Sequence, residues 1–152
     1  MRHLTKVLFL SLIVGTMLIP SINAQSKKNL QDMYLNFLKE EGYVPSLDKD
    51  GDILFKVTGD TYYILVDEND LQFFQIYMGI NLGKTKLADA LNATNYANRR
   101  SKVAKAYISQ DGKSVVIKIE LLLNKPEDFK QLFSRCMLIM KNAEEHFLSE
   151  LK

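Results

Sequence analysis

At Gly42 the hydrophobic pattern changes period, and that change limits the folds open to this chain. Before it, Leu30, Met33, Tyr34, Phe37 and Leu38 recur at three- and four-residue steps, the spacing of one helix face. Gly42 stands where such a helix, opening near Ser26, would end. After it come "YVPSLD", "DILFKV", "TYYILVD" and "LQFFQIYMGINL", short runs rich in aromatic and β-branched residues and separated by "KDG", "TGD" and "END". These predict consecutive antiparallel strands. In "DILFKV" the residues Ile53, Phe55 and Val57 alternate with Asp52, Leu54 and Lys56, so one sheet face is the more apolar and needs a cover.

Helices are the expected cover. "KTKLADALNATNYANRR" places Leu87, Ala90, Leu91 and Thr94 on one side, with Thr85 available as an N-cap. Two more strands, "KVAKAYIS" and "SVVIKIELLL", flank "QDGK", whose Asp111-Gly112 pair favours a tight hairpin. Their inward set is expected to be Val115, Ile117, Ile119 and Leu121. Pro126 then opens a long helix through Leu148, with Phe129, Leu132, Phe133, Cys136, Met140 and Phe147 at helical spacing. The expected architecture is α+β: an antiparallel sheet of about five to six strands with an N-terminal, a middle and a long C-terminal helix mainly on one face.

The beginning of the chain constrains its destination. "MRHLTKVLFLSLIVGTMLIPSINAQ" has a basic start in Arg2 and Lys6, an apolar run from Val7 to Ile19 and small residues ending at Ala24, the pattern of a secretory signal peptide. The run is shorter than the roughly 20 residues that cross a bilayer, so cleavage after Ala24 is expected. Residues 1–24 would be the signal and 25–152 a single domain, periplasmic or secreted, with no stable membrane insertion. Loss of Arg2 and Lys6 leaves eighteen basic against eighteen acidic residues. A neutral chain has no broad attraction to nucleic acid. Cys136 is the lone cysteine; its helical spacing favours burial, and an intermolecular disulfide is the alternative.

Catalytic and metal chemistry find little material. "SLDKDGDILFKV" sets Asp48, Asp50 and Asp52 around Gly51, but as a calcium loop starting at Asp48 it would put Ile53 at the glycine position and Gly59 at the glutamate position. It reads as a hairpin turn. His146 is the only histidine after the signal, too few for a zinc site without cysteine or histidine companions. Asp67 with Glu68 and Glu127 with Asp128 read as turn and helix-start acids. No cofactor is called for.

The run "NRRSKVAK" concentrates Arg99, Arg100, Lys102 and Lys105, able to grip an acidic partner or a phosphate but equally suited to a solvated helix C-terminus. Asn92, Asn95 and Asn98 form a polar strip expected at the surface, and Asn92-Ala93-Thr94 matches a glycosylation sequon in a helical setting. More telling are Tyr62, Tyr63, Phe73, Phe74 and Tyr77, which crowd two successive strands and cannot all point inward. Tyr62, Tyr63, Phe73 and Tyr77 are the candidate partner-binding residues, facing either a protein or peptide partner or a covering edge or second copy in a homodimer.

Two phrases, "FLKEEGYVPSLDKDGDILFKVTGDTYYILVDENDLQFFQIY" and "NYANRRSKVAKAYISQDGKSVVIKIELLL", resemble the YbjN-type domain, whose fold is related to type III secretion chaperones. The resemblance covers most of the chain after the signal. It implies an α+β sheet with helices mainly on one face and a sensory or regulatory, non-enzymatic role, and it carries no catalytic residues. An export signal departs from the cytoplasmic setting of a secretion chaperone. The expected function is an exported protein-binding, chaperone-like or regulatory module of the bacterial envelope. A small carrier holding an apolar ligand between sheet and helices is the alternative, and a paired-carboxylate hydrolase a distant third.

Overall fold

The alternation of apolar residues after Gly42 does produce strands, and the helical spacings on either side produce helices. The structure, a computed structural model, describes residues 22–151. In chain order it comprises helix α1 (Ile22–Glu40), strands β1 (Ser46–Leu47), β2 (Ile53–Val57), β3 (Asp60–Ile64) and β4 (Phe73–Asn81), helix α2 (Leu87–Arg100), strands β5 (Lys105–Ile108) and β6 (Ser114–Leu122), a 3-10 turn (Pro126–Asp128) and helix α3 (Phe129–Glu150). The proposed signal falls outside the described residues except for 22–24, which begin α1.

The six strands form one sheet in the order β1-β2-β3-β4-β6-β5, every neighbouring pair antiparallel. β4 and β5 therefore run in the same direction, and α2 makes the crossover between them. Tight turns set the registers. Thr58 and Gly59 both have positive φ and place Val57 opposite Asp60, a two-residue loop whose twist matches the strands it joins. The Asp48–Asp52 segment is also a turn: the Asp48 carboxylate accepts from the N–H groups of Asp50 and Asp52, and Gly51 turns with φ +89°.

Register decides which side chains share a face. Ile53, Ile64, Ile76 and Ile119 lie directly opposite one another across β2, β3, β4 and β6. The adjacent row on the same face is Phe55, Tyr62, Met78, Ile117 and Ala106. All are buried. The helices supply the other half of this core through Leu30, Tyr34, Phe37, Leu38, Phe129, Phe133, Cys136, Met140 and Phe147. Phe37, Phe55 and Tyr43 surround Phe133 with ring centroids 5.2–5.9 Å apart, within the range where aromatic pairs add to simple burial. Cys136 is buried, and burial pushes its thiol up from the usual range, countered by the nearby Arg135 charge. A protonated buried thiol behaves as a small hydrophobe.

The middle helix differs from its expected orientation. Its buried face is Ala90, Ala93, Thr94 and Ala97, whereas Leu87 and Leu91 are 53% and 46% exposed. Three alanines let α2 approach α3 and β5 closely, and that closeness outweighs the area two leucines could have buried. The buried Thr94 hydroxyl is satisfied by donating to the Ala90 carbonyl at 2.7 Å. Thr85 does not cap the helix: Lys86 holds the N-cap position without a side-chain bond. Burial of Thr94 inside α2 also removes the third position of the glycosylation sequon from the surface. Of the expected inward set of β6, Val115, Ile117 and Ile119 are buried and Leu121 is partly so.

Candidate functional site

The face of the sheet turned away from the helices carries the alternate residues of each strand. Leu54, Tyr63, Tyr77, Lys118 and Lys105 stand directly opposite one another across β2, β3, β4, β6 and β5, making one continuous row. At its centre Tyr63 and Tyr77 stack with ring centroids 5.0 Å apart and planes 13° apart. Phe73 sits on the same face opposite Leu122, and Gly79 opposite Val116, with Tyr107 beyond it on β5. Tyr63, Phe73 and Tyr77 are half-buried, while Leu122 is exposed. Among the described residues no helix packs on this face, so its side-by-side rings offer apolar area to a partner.

Tyr62 does not belong to this surface. It is 2% exposed, and its ring stacks on Phe55 with centroids 5.6 Å apart on the helix-covered face. The correction follows from the Thr58-Gly59 turn, which pairs Phe55 with Tyr62 and gives both side chains the same face. Phe74 is likewise buried, 5.7 Å from Phe129. The sequence signal lies in the length of the turn: two residues between Val57 and Asp60 fix which residues of β3 share a face with Phe55.

Charge frames the aromatic row. On the β5 side, Lys118 lies 2.6 Å from Glu120, Lys105 bonds the same carboxylate, and the Lys118 ammonium is 5.4 Å from the Tyr107 ring centre. Hydrogen bonds from Lys105 and Lys118 hold the Glu120 carboxyl below the usual range. On the opposite side stand Asp48, Asp50 and Asp52. Burial pushes the Tyr77 hydroxyl up to about 12, and Asp52, Asp48, Tyr63 and Asp50 add in the same direction. Burial also raises Asp52, opposed by the hydrogen bond its carboxylate accepts from the Val66 N–H. The row is thus acidic at one end, aromatic in the middle and basic at the other.

Residues suited to chemistry are not gathered there. Among the described residues no group of three or more His, Cys, Asp and Glu side chains could hold a metal ion. His146 packs edge-on to Tyr96 at 6.2 Å, and the Arg100 guanidinium lies 5.3 Å from the same ring. Asp67 accepts backbone N–H bonds from Asn69 and Asp70 in the β3–β4 loop, and Asp128 accepts from the Lys125 N–H, so both acids act in turns. Asn92, Asn95 and Asn98 are all exposed, as expected of the polar strip. The Asn98 side chain also bonds both the N–H and the carbonyl of Ala106, at 2.8 and 2.9 Å.

The space between sheet and helices is filled by Tyr34, Phe55, Phe74, Phe129, Phe133 and Phe147, all fully buried. Two clefts open at the rim. One, of about 290 Å³, lies between α1, Leu71 and Pro126; the other, of about 520 Å³, lies between Lys84, Lys86 and the end of α3 at Glu150. Among the described residues no helix is long and apolar enough to cross a membrane.

Comparison with known proteins agrees with this geometry. The YbjN family model, described as "Putative bacterial sensory transduction regulator", matches residues 31–138. That span runs from α1 through all six strands and into α3. No curated protein matches the chain. A solved structure of an uncharacterised protein from Methanothermobacter thermautotrophicus is similar, with a TM-score of 0.53 at 13% identity, covering 80% of this chain and 94% of that one. At that identity the likeness is one of fold.

Proposed function

This chain belongs to the YbjN family, and from that premise we propose that it is an exported, non-enzymatic regulator that binds a protein or peptide partner of the bacterial envelope through the open face of its sheet. The observation that carries the reading is the stacked Tyr63–Tyr77 pair, half-buried in the middle of a face that none of the three helices covers. Tyrosines suit such a role because they supply large contact area with few rotatable bonds and keep a polar tip for a partner or for water. The acidic and basic ends of the row would fix the partner's orientation. Export rests on the basic, apolar and small-residue order of residues 1–24.

Cross-linking in intact envelopes, followed by mass spectrometry of what is captured, tests the binding role. A specific partner is expected with the wild type and should be lost with Tyr63→Ala and Tyr77→Ala. Equal capture by the variants would sink the open-face reading, and capture of a second copy alone would make the face a homodimer interface. Export is tested separately by N-terminal sequencing of the mature protein, which should begin at Gln25.

The carrier reading draws on the smaller rim cleft, whose walls include Leu30, Met33, Leu71 and Pro126. It places an apolar ligand at the end of α1, because the interlayer space is occupied by side chains. Native mass spectrometry of the purified protein would show a retained small-molecule mass if this reading holds.

A further inference from the structure

We propose that the outer edge of β5 is a strand-addition site for an acidic, extended peptide, and that Asn98 occupies it as an internal stand-in. The site shares Lys105 with the face centred on Tyr63 and Tyr77 and does not depend on that face.

The sheet has two outer strands. β1 contributes only Ser46 and Leu47, whereas β5 runs from Lys105 to Ile108. In an antiparallel ladder the backbone groups of alternate residues point away from the neighbouring strand. At Ala106 both outward groups are already used: its N–H donates to Asn98 Oδ1 at 2.8 Å, and its carbonyl accepts from Asn98 Nδ2 at 2.9 Å. A side-chain carboxamide has the same donor and acceptor as a peptide group. Asn98 therefore makes the pair of bonds that a seventh strand would make at this position. The carboxamide satisfies the outward pair at Ala106, and by alternation Ile108 presents the next outward pair two residues further on.

The corner that delivers Asn98 is tight. The Ala104 N–H donates to the Lys102 carbonyl at 2.8 Å, and Val103 between them has φ +69°, a strained conformation for a β-branched residue. This three-residue turn sends the chain from the end of α2 directly into β5, so the last turn of the helix overhangs the strand edge. That same turn of α2 brings cations. Arg99, Arg100, Lys102 and Lys105 are all exposed along this margin. Lys105 bonds Glu120, and Arg100 lies over Tyr96, which leaves Arg99 and Lys102 to meet an incoming charge. An unpaired backbone edge selects an extended chain, and its cationic border selects acidic side chains on that chain.

A fluorescein-labelled hexapeptide of alternating valine and glutamate, followed by fluorescence anisotropy at low ionic strength, is the direct probe. Asn98→Ala should bind it about tenfold more tightly than the wild type, because two competing hydrogen bonds are gone. Arg99→Glu combined with Lys102→Glu should weaken binding at least about tenfold. Tyr63→Ala should leave it unchanged. The wild type gives a second readout by NMR: at saturating peptide the Asn98 side-chain amide signals should shift while the Ala106 N–H stays protected from exchange. Equal affinity of Asn98→Ala and wild type, or Asn98 signals unmoved at saturation, would overturn the proposal. So would an Asn98→Ala protein that self-associates in light scattering without binding the peptide, since the edge would then accept a second copy instead.

Discussion

Tyr62 and Tyr63 are neighbours in the chain and meet opposite fates. One is sealed against Phe55 under the helices, while the other stacks on Tyr77 on the uncovered side of the same sheet. Their chemistry is identical and their backbone nearly so; the whole difference is strand parity. Composition therefore says how much aromatic surface a sheet carries, and register says how much of it is left to bind something else. The two faces also differ in what their tyrosines gain. On the covered face the ring contributes packing, and on the open face it contributes a surface.

The largest test of this difference is a pair of truncations. Tyr62→Ala opens a cavity between Phe55 and the helices and should destabilise the protein by about 3 kcal/mol. Tyr63→Ala loses one stacking contact and some half-buried area and should cost about 1 kcal/mol. Urea unfolding of the two variants measures both. Similar losses would mean that the open face is as tightly packed as the core, and the binding role proposed for it would lose its basis.

A smaller effect sharpens the electrostatic side. The Tyr77 hydroxyl is pushed up to about 12 by burial and by the aspartates of the β1–β2 turn, against about 10 for a tyrosine in the unfolded chain. Below pH 10 both states keep the proton, and Tyr77 adds no pH dependence. Between about pH 10 and 12 the folded state holds the proton more tightly, so unfolding releases it and stability falls as the pH rises. Tyr77→Phe should make that alkaline fall shallower. Tyr62, raised by burial and by Glu144, keeps part of it in place. Urea midpoints at a series of pH values from 8 to 11 read the slope; an unchanged slope in Tyr77→Phe would show that the open face is wetter around Tyr77 than its stacking with Tyr63 suggests.

Much of the fold is legible in the sequence, and for a physical reason. Periods of 2 and of 3.6 residues are different enough that "DILFKV" and the Leu30–Leu38 set separate at sight, and the six strands and three helices follow. Parity within "DTYYI" is harder, because two adjacent tyrosines fit either face and only the Thr58-Gly59 turn chooses. The face of α2 depended on its neighbours: close approach of three alanines to α3 and β5 excluded Leu87 and Leu91 from the core. Asn98 was beyond reach, since nothing local distinguishes it from Asn95 until α2 is set beside β5. The open sheet face itself follows from helices expected mainly on one side; which tyrosine of the Tyr62-Tyr63 pair it carries follows only from the register.

The smallest effect is expected on the covered face itself. The Tyr34 hydroxyl is fully buried and makes no hydrogen bond among the described residues, although its ring packs 4.8 Å from Phe129 and 6.1 Å from Phe74. Burial pushes it well above the ordinary tyrosine range. A buried hydroxyl without a partner has lost its bonds to water and gained none in return. Tyr34→Phe keeps the ring and removes that loss, so it should leave stability unchanged or raise it by up to about 1 kcal/mol. The open-face tyrosines Tyr63 and Tyr77 are only half-buried, and neither hydroxyl is a buried group left without a partner. A clear destabilisation by Tyr34→Phe in urea unfolding would mean that the hydroxyl has a partner in solution, and the covered face would then hold a polar contact of its own instead of being secured by packing alone.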